Sequence, residues 1–265
     1  MTDPRSYLFV PGLRPDRFAK AAAAGADAII LDLEDAVGPD QKDEARAHVS
    51  SWLADGGAGL VRINGEGTPW FEDDLAMLSY ASEARVMVPK AEPSALAAVA
   101  ARLPGRPLLA LVETAAGLAS LREAARMPGV ARLAFGNLDF SADMGMDPPD
   151  PALDPARFEI VLASRLAGLP PPVDGVRVEL EDSDGLSADV LRVRALGFGG
   201  KLCIHPAQVG PVNTGFSPSE AELAWAARIE TAMAEAAGAA VRVDGKMVDK
   251  PLLEKARRIL ANAPG

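Results

Sequence analysis

The sequence holds one cysteine, Cys203, and two histidines, His48 and His205. A single thiol excludes an internal disulfide framework and suits a reducing compartment, so a cytoplasmic protein is expected. Two histidines so far apart give no basis for a zinc site, and Cys203, inside an apolar run, reads as buried rather than nucleophilic. Basic residues are also in deficit: 27 Lys and Arg face 37 Asp and Glu, for a formal charge of −10. An acidic chain with no basic stretch binds nucleic-acid phosphates poorly, so no nucleic-acid partner is expected. No apolar run approaches the roughly 20 residues that span a bilayer, and Met1-Thr-Asp-Pro-Arg5 lacks the basic-then-apolar layout of a signal peptide. No membrane association is expected. Nucleotide-binding signatures are missing too. There is no GxGxxG, and Gly197-Phe-Gly-Gly-Lys201 precedes a strand, with Leu202 where a P-loop carries Ser or Thr.

What the chain does have is apolar residue, 49% of 265, enough for one sizeable core. Short β-branched runs alternate with Ala-rich helical stretches, the pattern of βαβ units around a parallel sheet. Eight strands are predicted: Tyr7–Val10, Ala28–Leu33, Leu60–Ile63, Arg85–Val88, Leu108–Val112, Arg132–Phe135, Gly175–Glu179 and Lys201–Ile204. Helices are predicted over Pro15–Ala24, Gln41–Ala54, Ala116–Arg126, Pro155–Ala167 and Leu186–Leu196, with Asp154 as an N-cap. Polar residues gather after several different strands: Glu34-Asp35, Asn64, Lys90, Glu113, Asp139 and His205. A (β/α)8 TIM barrel places its active site at those ends, whereas an open doubly wound sheet, the alternative, concentrates it at one switch point.

The expected fold is thus a single α/β TIM barrel over residues 1–208, with 209–265 as a C-terminal lid and oligomerisation extension. In that extension, Val209–Phe216 reads as a connection. Ser217-Pro218-Ser219-Glu220 reads as a capping box opening a helix to about Ala237. A hairpin turns at Asp244-Gly245, and a last helix starts at Pro251.

Glu113 and Asp139 follow the fifth and sixth strands, neighbours about 4.8 Å apart in a barrel. Two carboxylate oxygens, each about 2.1 Å from one Mg²⁺, lie within about 4.2 Å of each other, so adjacent strand ends can supply both. A helix cap and an Arg partner are the competing roles. Arg62, ending the third strand, suits bidentate binding of a carboxylate, or else a salt bridge to Glu34 or Asp35. Those two acids could also hold metal-bound water. Gly136 and Asn137 offer two backbone N–H groups for a carboxylate or thioester oxygen, or form only a tight turn.

Arg5-Ser-Tyr-Leu-Phe-Val-Pro-Gly12, Leu31-Asp-Leu-Glu-Asp-Ala-Val37, Val61-Arg-Ile-Asn64 and Val88-Pro-Lys90 resemble the citrate lyase β-subunit-like branch of the HpcH/HpaI aldolase superfamily. So do Leu111-Val-Glu-Thr114, Phe135-Gly-Asn-Leu-Asp-Phe-Ser-Ala-Asp-Met-Gly145 and Gly197-Phe-Gly-Gly-Lys-Leu-Cys-Ile-His-Pro-Ala-Gln208. The resemblance runs in order over nearly the whole chain. It implies a barrel, Mg²⁺ on Glu113 and Asp139, and substrate held by Arg62 and Glu113. It implies a kinship to malyl- and citramalyl-CoA lyases, which cleave or form the C–C bond of a 3-hydroxyacyl thioester. One product is a 2-oxo acid (oxaloacetate, glyoxylate or pyruvate); the other is an acetyl thioester of CoA or an acyl carrier.

In the CoA lyases of this family the acid/base is an Asp of the C-terminal lid. The matching stretch Gly245-Lys-Met-Val-Asp-Lys-Pro251 nominates Asp249, whose other reading is an N-cap. The family implies a homo-oligomer, a trimer or larger. Arg14, Arg17 and Lys20 could meet CoA phosphates or be helix-surface charge. A different reading of the whole chain is a non-catalytic or carrier-dependent subunit of a multi-subunit lyase complex. Such a scaffold needs none of Glu113, Asp139, Arg62 or Asp249.

Overall fold

A computed structural model describes residues 3–147, 150–236 and 240–263. The chain forms two compact units, one spanning Asp3–Asn213 and the other beginning at Thr214. In the first, eight strands close into a parallel barrel: β1 (Ser6–Pro11), β2 (Ala28–Asp32), β3 (Leu60–Arg62), β4 (Arg85–Val88), β5 (Leu108–Val112), β6 (Val130–Phe135), β7 (Val173–Asp174) and β8 (Gly200–Cys203). Neighbours in sequence are neighbours in the sheet, and β8 returns to β1 through Tyr7 and Leu202. The open-sheet alternative is thereby excluded. Inward residues of the strands, among them Tyr7, Ile30, Leu60, Met87, Leu109 and Leu202, fill the interior as one apolar cluster.

The strands are buried on both faces because amphipathic helices cover the outside. Phe18 and Ala21 of Pro15–Ala22, Ala45 and Val49 of Lys42–Ala54, and Leu75 and Leu78 of Phe71–Ser79 are all buried. The predicted helix over Ala116–Arg126 is two short pieces, Ala115–Ala119 and Leu121–Ala124, meeting at Ser120, whose hydroxyl donates to Ala116 O. Asp154 is not an N-cap. It is the first residue of helix Asp154–Leu166, and its carboxylate pairs with Arg157 and Arg192.

The seventh strand departs most from expectation. It is Val173–Asp174, ahead of the predicted Gly175–Glu179. The apolar alternation of Val176 and Val178 suggests a strand, yet Val178 is exposed and Val176, though its side chain packs on the barrel core, joins no strand ladder. Instead the Asn137 carboxamide takes both backbone groups of Val176, accepting from its N–H at 2.9 Å and donating to its carbonyl at 3.1 Å. Gly175 allows this approach, since a Cβ there would lie 2.0 Å from Asn137 Oδ1.

In the second unit, helix Glu220–Glu235 is capped by Ser219 with Glu222 as the reciprocal partner, two residues later than predicted. Its expected end, Ala237, lies outside the described residues. β9 (Val241–Val243) and β10 (Lys246–Val248) form the expected hairpin, with Asp244 and Gly245 both at positive φ, 48° and 79°. Helix Lys250–Ala261 completes the unit, which has its own core of Ala226, Ile229, Met233, Val248 and Ala256. Val209–Phe216, expected as a connection, is helical, with Val209 and Val212 buried.

Asp174 at the end of β7 is fully buried between Arg157 Nε at 2.7 Å and Lys201 Nζ at 2.6 Å. Burial opposes its charge, but Lys201 and Arg157 outweigh burial and hold its pKa below the ordinary carboxylate range. Asp174→Ala leaves the buried Lys201 without its anion and takes from Arg157 its one fully buried carboxylate, leaving it Asp150 and Asp154. Denaturant unfolding should show a loss of about 3–5 kcal/mol. A change below about 1 kcal/mol would mean that solvent reaches the triad.

Candidate active site

Arg62 ends β3 directly opposite Asp32, the last residue of β2. The two form a bidentate pair, Nε to Oδ1 at 2.7 Å and Nη2 to Oδ2 at 2.6 Å, with both side chains buried. The same Asp32 carboxylate accepts from the backbone N–H of Glu34 and Ala36. It therefore winds the β2 turn around itself, and that turn brings Glu34 Oε2 to 3.0 Å and Asp35 Oδ2 to 3.3 Å from Arg62 Nη1. Burial disfavours the guanidinium charge, but Asp32, then Glu34 and Asp35, more than compensate and raise the Arg62 pKa. Lys42, buried on helix Lys42–Ala54, donates to the carbonyls of Leu33 and Glu34 at 2.7 Å each and fixes the turn's backbone.

Lys90, two residues beyond β4, takes a left-handed conformation with φ 45°, a costly choice for a side chain of this kind. The conformation gives it two contacts. Its backbone N–H donates to Glu113 Oε1 at 2.8 Å, and its ammonium reaches Glu34 Oε1 at 2.9 Å.

Glu113 follows β5 and is 2% exposed. Burial, with Glu34 and Asp139 nearby, outweighs the Lys90 amide and Arg62 and pushes its pKa up to about 8. Its Oε2 has no hydrogen-bond partner among the described residues. Gly136, immediately after β6, makes room for it: a Cβ there would lie 2.6 Å from both Glu113 Cβ and Oε2. Asp139 is the third residue of helix Asn137–Asp143. It is exposed, and among the described residues it makes no hydrogen bond or ion pair.

These groups share one cavity of about 380 Å³, lined by Asp32, Asp35, Arg62, Glu113, Asn137 and Asp139 and by the apolar Phe9, Leu111, Val176 and Leu202. The sequence-predicted Arg62, Glu113, Gly136, Asn137 and Asp139 are thus brought together at the C-terminal mouth of the barrel. One expectation needs correction. The Gly136 N–H, expected to meet a substrate oxygen, donates to Val112 O at 2.9 Å, so Gly136 contributes space rather than a donor. The Asn137 side chain is spent on Val176, whereas its backbone N–H, the donor that was expected, has no acceptor among the described residues.

Arg14, Arg17 and Lys20 are exposed and do not line this cavity, and Arg14 closes its fork on Asp16. Asp249, in the second unit, caps helix Lys250–Ala261 by accepting from Leu252 N–H at 3.4 Å. The prediction missed Asp32 and Lys42 and gave Lys90 no role. An acid inside the apolar run Ala28–Leu33 was the available signal for Asp32. Nothing local marks Lys42 apart from other helix lysines.

Among the described residues, no group of three or more His, Cys, Asp or Glu side chains clusters as a metal cage. A divalent cation that keeps its waters needs less. Partnerless Glu113 Oε2 and the uncommitted Asp139 carboxylate are two hard oxygen donors, and they fit Mg²⁺.

A family model described as HpcH/HpaI aldolase/citrate lyase matches residues 5–206. A citrate lyase subunit beta-like protein of Deinococcus radiodurans is 40% identical over 97% of this chain and 96% of its own. A (3S)-malyl-CoA thioesterase of Cereibacter sphaeroides is 39% identical, covering 98% and 94%. The crystal structure of CitE from Mycobacterium tuberculosis with magnesium, acetoacetate and coenzyme A superposes with a TM-score of 0.87, at 35% identity over 98% of each chain.

Glu113 also sets a pH signature. Its folded-state pKa of about 8 lies above the ordinary 4.5, so the native state keeps a proton that the unfolded chain has lost. The stability this confers is present in full below the ordinary pKa and is lost as pH rises through 8, by up to about 1.4 kcal/mol per unit. Glu113→Gln, neutral throughout, should match the wild type near pH 5 and exceed its stability at pH 8–9 in chelator-containing buffer. Parallel stability curves would refute the shift.

Proposed function

The chain belongs to the HpcH/HpaI aldolase/citrate lyase family, and on that premise we propose that it is a Mg²⁺-dependent carbon–carbon lyase. It cleaves or forms a 3-hydroxyacyl thioester such as citryl-, malyl- or citramalyl-CoA, with a 2-oxo acid and an acetyl thioester on the other side of the reaction. The observation that carries this reading is Glu113 Oε2, a buried carboxylate oxygen with no partner, in the cavity that also holds Asp139 and Arg62.

Glu113 and Asp139 hold the metal, which when bound polarises the 2-oxo acid carbonyl where charge develops. Arg62, whose Nε and Nη2 contact with Asp32 keeps the fork from turning, receives the oxo-acid carboxylate on the second Nη2 N–H and on Nη1 in place of the exposed Asp35. Lys90 holds Glu113 through Oε1 and leaves Oε2 to the cation. In cleavage the C–C electron pair stays with the acetyl carbon. The 3-hydroxyl gives up its proton and becomes the oxo-acid carbonyl, and a proton is added at carbon, so the count is conserved. Asp249 is the group proposed for the exchange at carbon, offered by the C-terminal lid of a neighbouring subunit in a trimer or larger homo-oligomer.

Purified protein with Mg²⁺ should convert at least one of citryl-, malyl- and citramalyl-CoA to a 2-oxo acid plus acetyl-CoA, read by mass spectrometry. The thioesterase relative favours a second reading, hydrolysis, which the same screen separates because it yields the hydroxy acid and free CoA. No turnover of any of the three would favour a non-catalytic or carrier-dependent subunit.

Titration calorimetry should show Mg²⁺ binding strongly weakened in Glu113→Ala and in Asp139→Ala. Wild-type affinity in either variant removes that residue from the site.

Asp249→Asn separates capping from chemistry, since Asn caps a helix as well as Asp. The variant should keep its fold and its Mg²⁺ and oxo-acid affinity while losing most of kcat. Mixed oligomers of Asp249→Asn and Glu113→Ala subunits should recover part of the activity if the lid crosses between chains. Full activity of Asp249→Asn would end its catalytic role.

A further inference from the structure

We infer that the outer face of helix Asp154–Leu166 is a two-fold contact, made with the same helix of a second copy of this chain. The inner face of that helix is buried through Ala156, Ile160 and Ala163. Its outer face is apolar where water favours polar residues. Phe158 is 59% exposed and Leu166 is 53% exposed, with Leu162 partly buried between them. Spaced at i, i+4 and i+8, the three form one ridge about 12 Å long. Leu191 adds a further exposed apolar side chain on helix Ser183–Leu196, which adjoins this one through Arg192 and Asp154. An apolar surface of this kind, rimmed by charge, marks a place where another molecule packs.

Charge on the two borders of the ridge selects a second copy as the occupant. With about 100° between successive residues, Glu159 and Arg165 project about 60° to either side of Leu162, one on each border. Arg122 holds Oε2 of the Glu159 carboxylate at 2.8 Å and leaves Oε1 open. Arg165 is exposed and, among the described residues, its side chain makes no hydrogen bond or ion pair. When two copies of a helix meet antiparallel about a two-fold axis through residue 162, positions equally far before and after 162 face each other. Phe158 then packs on Leu166 of the partner subunit, and Glu159 meets Arg165 of the partner subunit. Leu162 lies on the axis against its own counterpart. Every contact is made twice. Parallel packing lacks this match, since it sets each charge level with its own kind. The contact closes on itself, so it doubles whatever other assembly the chain forms, and it does not depend on the lyase reading.

The test weighs the full-length protein in solution by light scattering and then moves the charges. The wild type should contain an even number of chains. Arg165→Glu sets two carboxylates against each other on each border. It should weaken the two-fold contact by about tenfold or more and halve the mass at micromolar concentration. Glu159→Arg should do the same. The double variant Glu159→Arg/Arg165→Glu restores opposite charges across the axis and should recover the wild-type mass, which damage to the fold would not do. Leu162→Cys should form a disulfide between subunits on mild oxidation with diamide, since a residue on the axis meets its own copy and Cys203 is buried. An odd number of chains, or a monomer at every concentration, would overturn the inference. So would a mass unchanged in both single variants. No recovery in the double variant would overturn the charge pairing, and no disulfide in an even-numbered assembly would overturn the axis at Leu162.

Discussion

The bidentate contact between Asp32 and Arg62 ties the ends of β2 and β3 together at the mouth of the barrel, and the chemistry of that end is arranged around it. A buried ion pair of this kind adds little net stability over an apolar pair, because removing both charges from water costs nearly what their attraction returns. Its contribution is geometric. Asp32 holds two of the three guanidinium nitrogens and also anchors the backbone of Glu34 and Ala36. A single carboxylate thus sets both the direction in which Arg62 points and the path of the acidic turn beside it. Lys42 fixes the carbonyls of that same turn, so its backbone polar groups are met before any ligand arrives.

The opposite wall works by close approach. Glu113 sits where burial and neighbouring acids favour its neutral form, and a cation there would have to compete with a proton. Two local features hold the carboxylate in that position. Gly136 removes the Cβ that would collide with it, and Lys90 adopts a left-handed backbone that aims an amide at Oε1. The Lys90 ammonium then reaches Glu34, linking the Glu113 wall to the acidic turn around Arg62. Strain at Lys90 is therefore tied to the placement of both acids.

The second unit is organised differently. Helix Glu220–Glu235, the hairpin and helix Lys250–Ala261 enclose their own small apolar core. Asp249 sits at the junction of hairpin and helix, where its carboxylate meets a first-turn amide. A capping carboxylate is held by one weak contact and remains accessible, which is compatible with a second use in chemistry.

Periodicity in the sequence was enough to indicate eight strands and their alternation with helices, because a chain buried on both faces of each strand must show continuous apolar runs; closure was suggested by polar residues after several different strands, and the pairing of β8 with β1 decided it. The position of polar residues after those runs was enough to nominate Arg62, Glu113 and Asp139, since side chains following barrel strands converge whatever the loops do. The hairpin turn was equally legible, because Asp-Gly favours positive φ locally. Local pattern failed where a distant group takes over a backbone function. Val176 and Val178 alternate as a strand should, yet the Asn137 carboxamide, 39 residues away, takes the hydrogen bonds that would have made one. The partners of Arg62 were legible only in part: Glu34 and Asp35 do pair with it, but the bidentate partner Asp32 was missed for a related reason. Glu34 and Asp35 stand out as an acidic pair in the sequence. Asp32 is concealed in an apolar run, and only the parallel register of β2 and β3 sets it opposite the guanidinium. Composition and periodicity determined which residues lie at the mouth of the barrel. Which of them are spent on one another, and which remain for a ligand, was decided by tertiary structure, because hydrogen bonds between side chains depend on register and close approach, and a linear pattern carries neither.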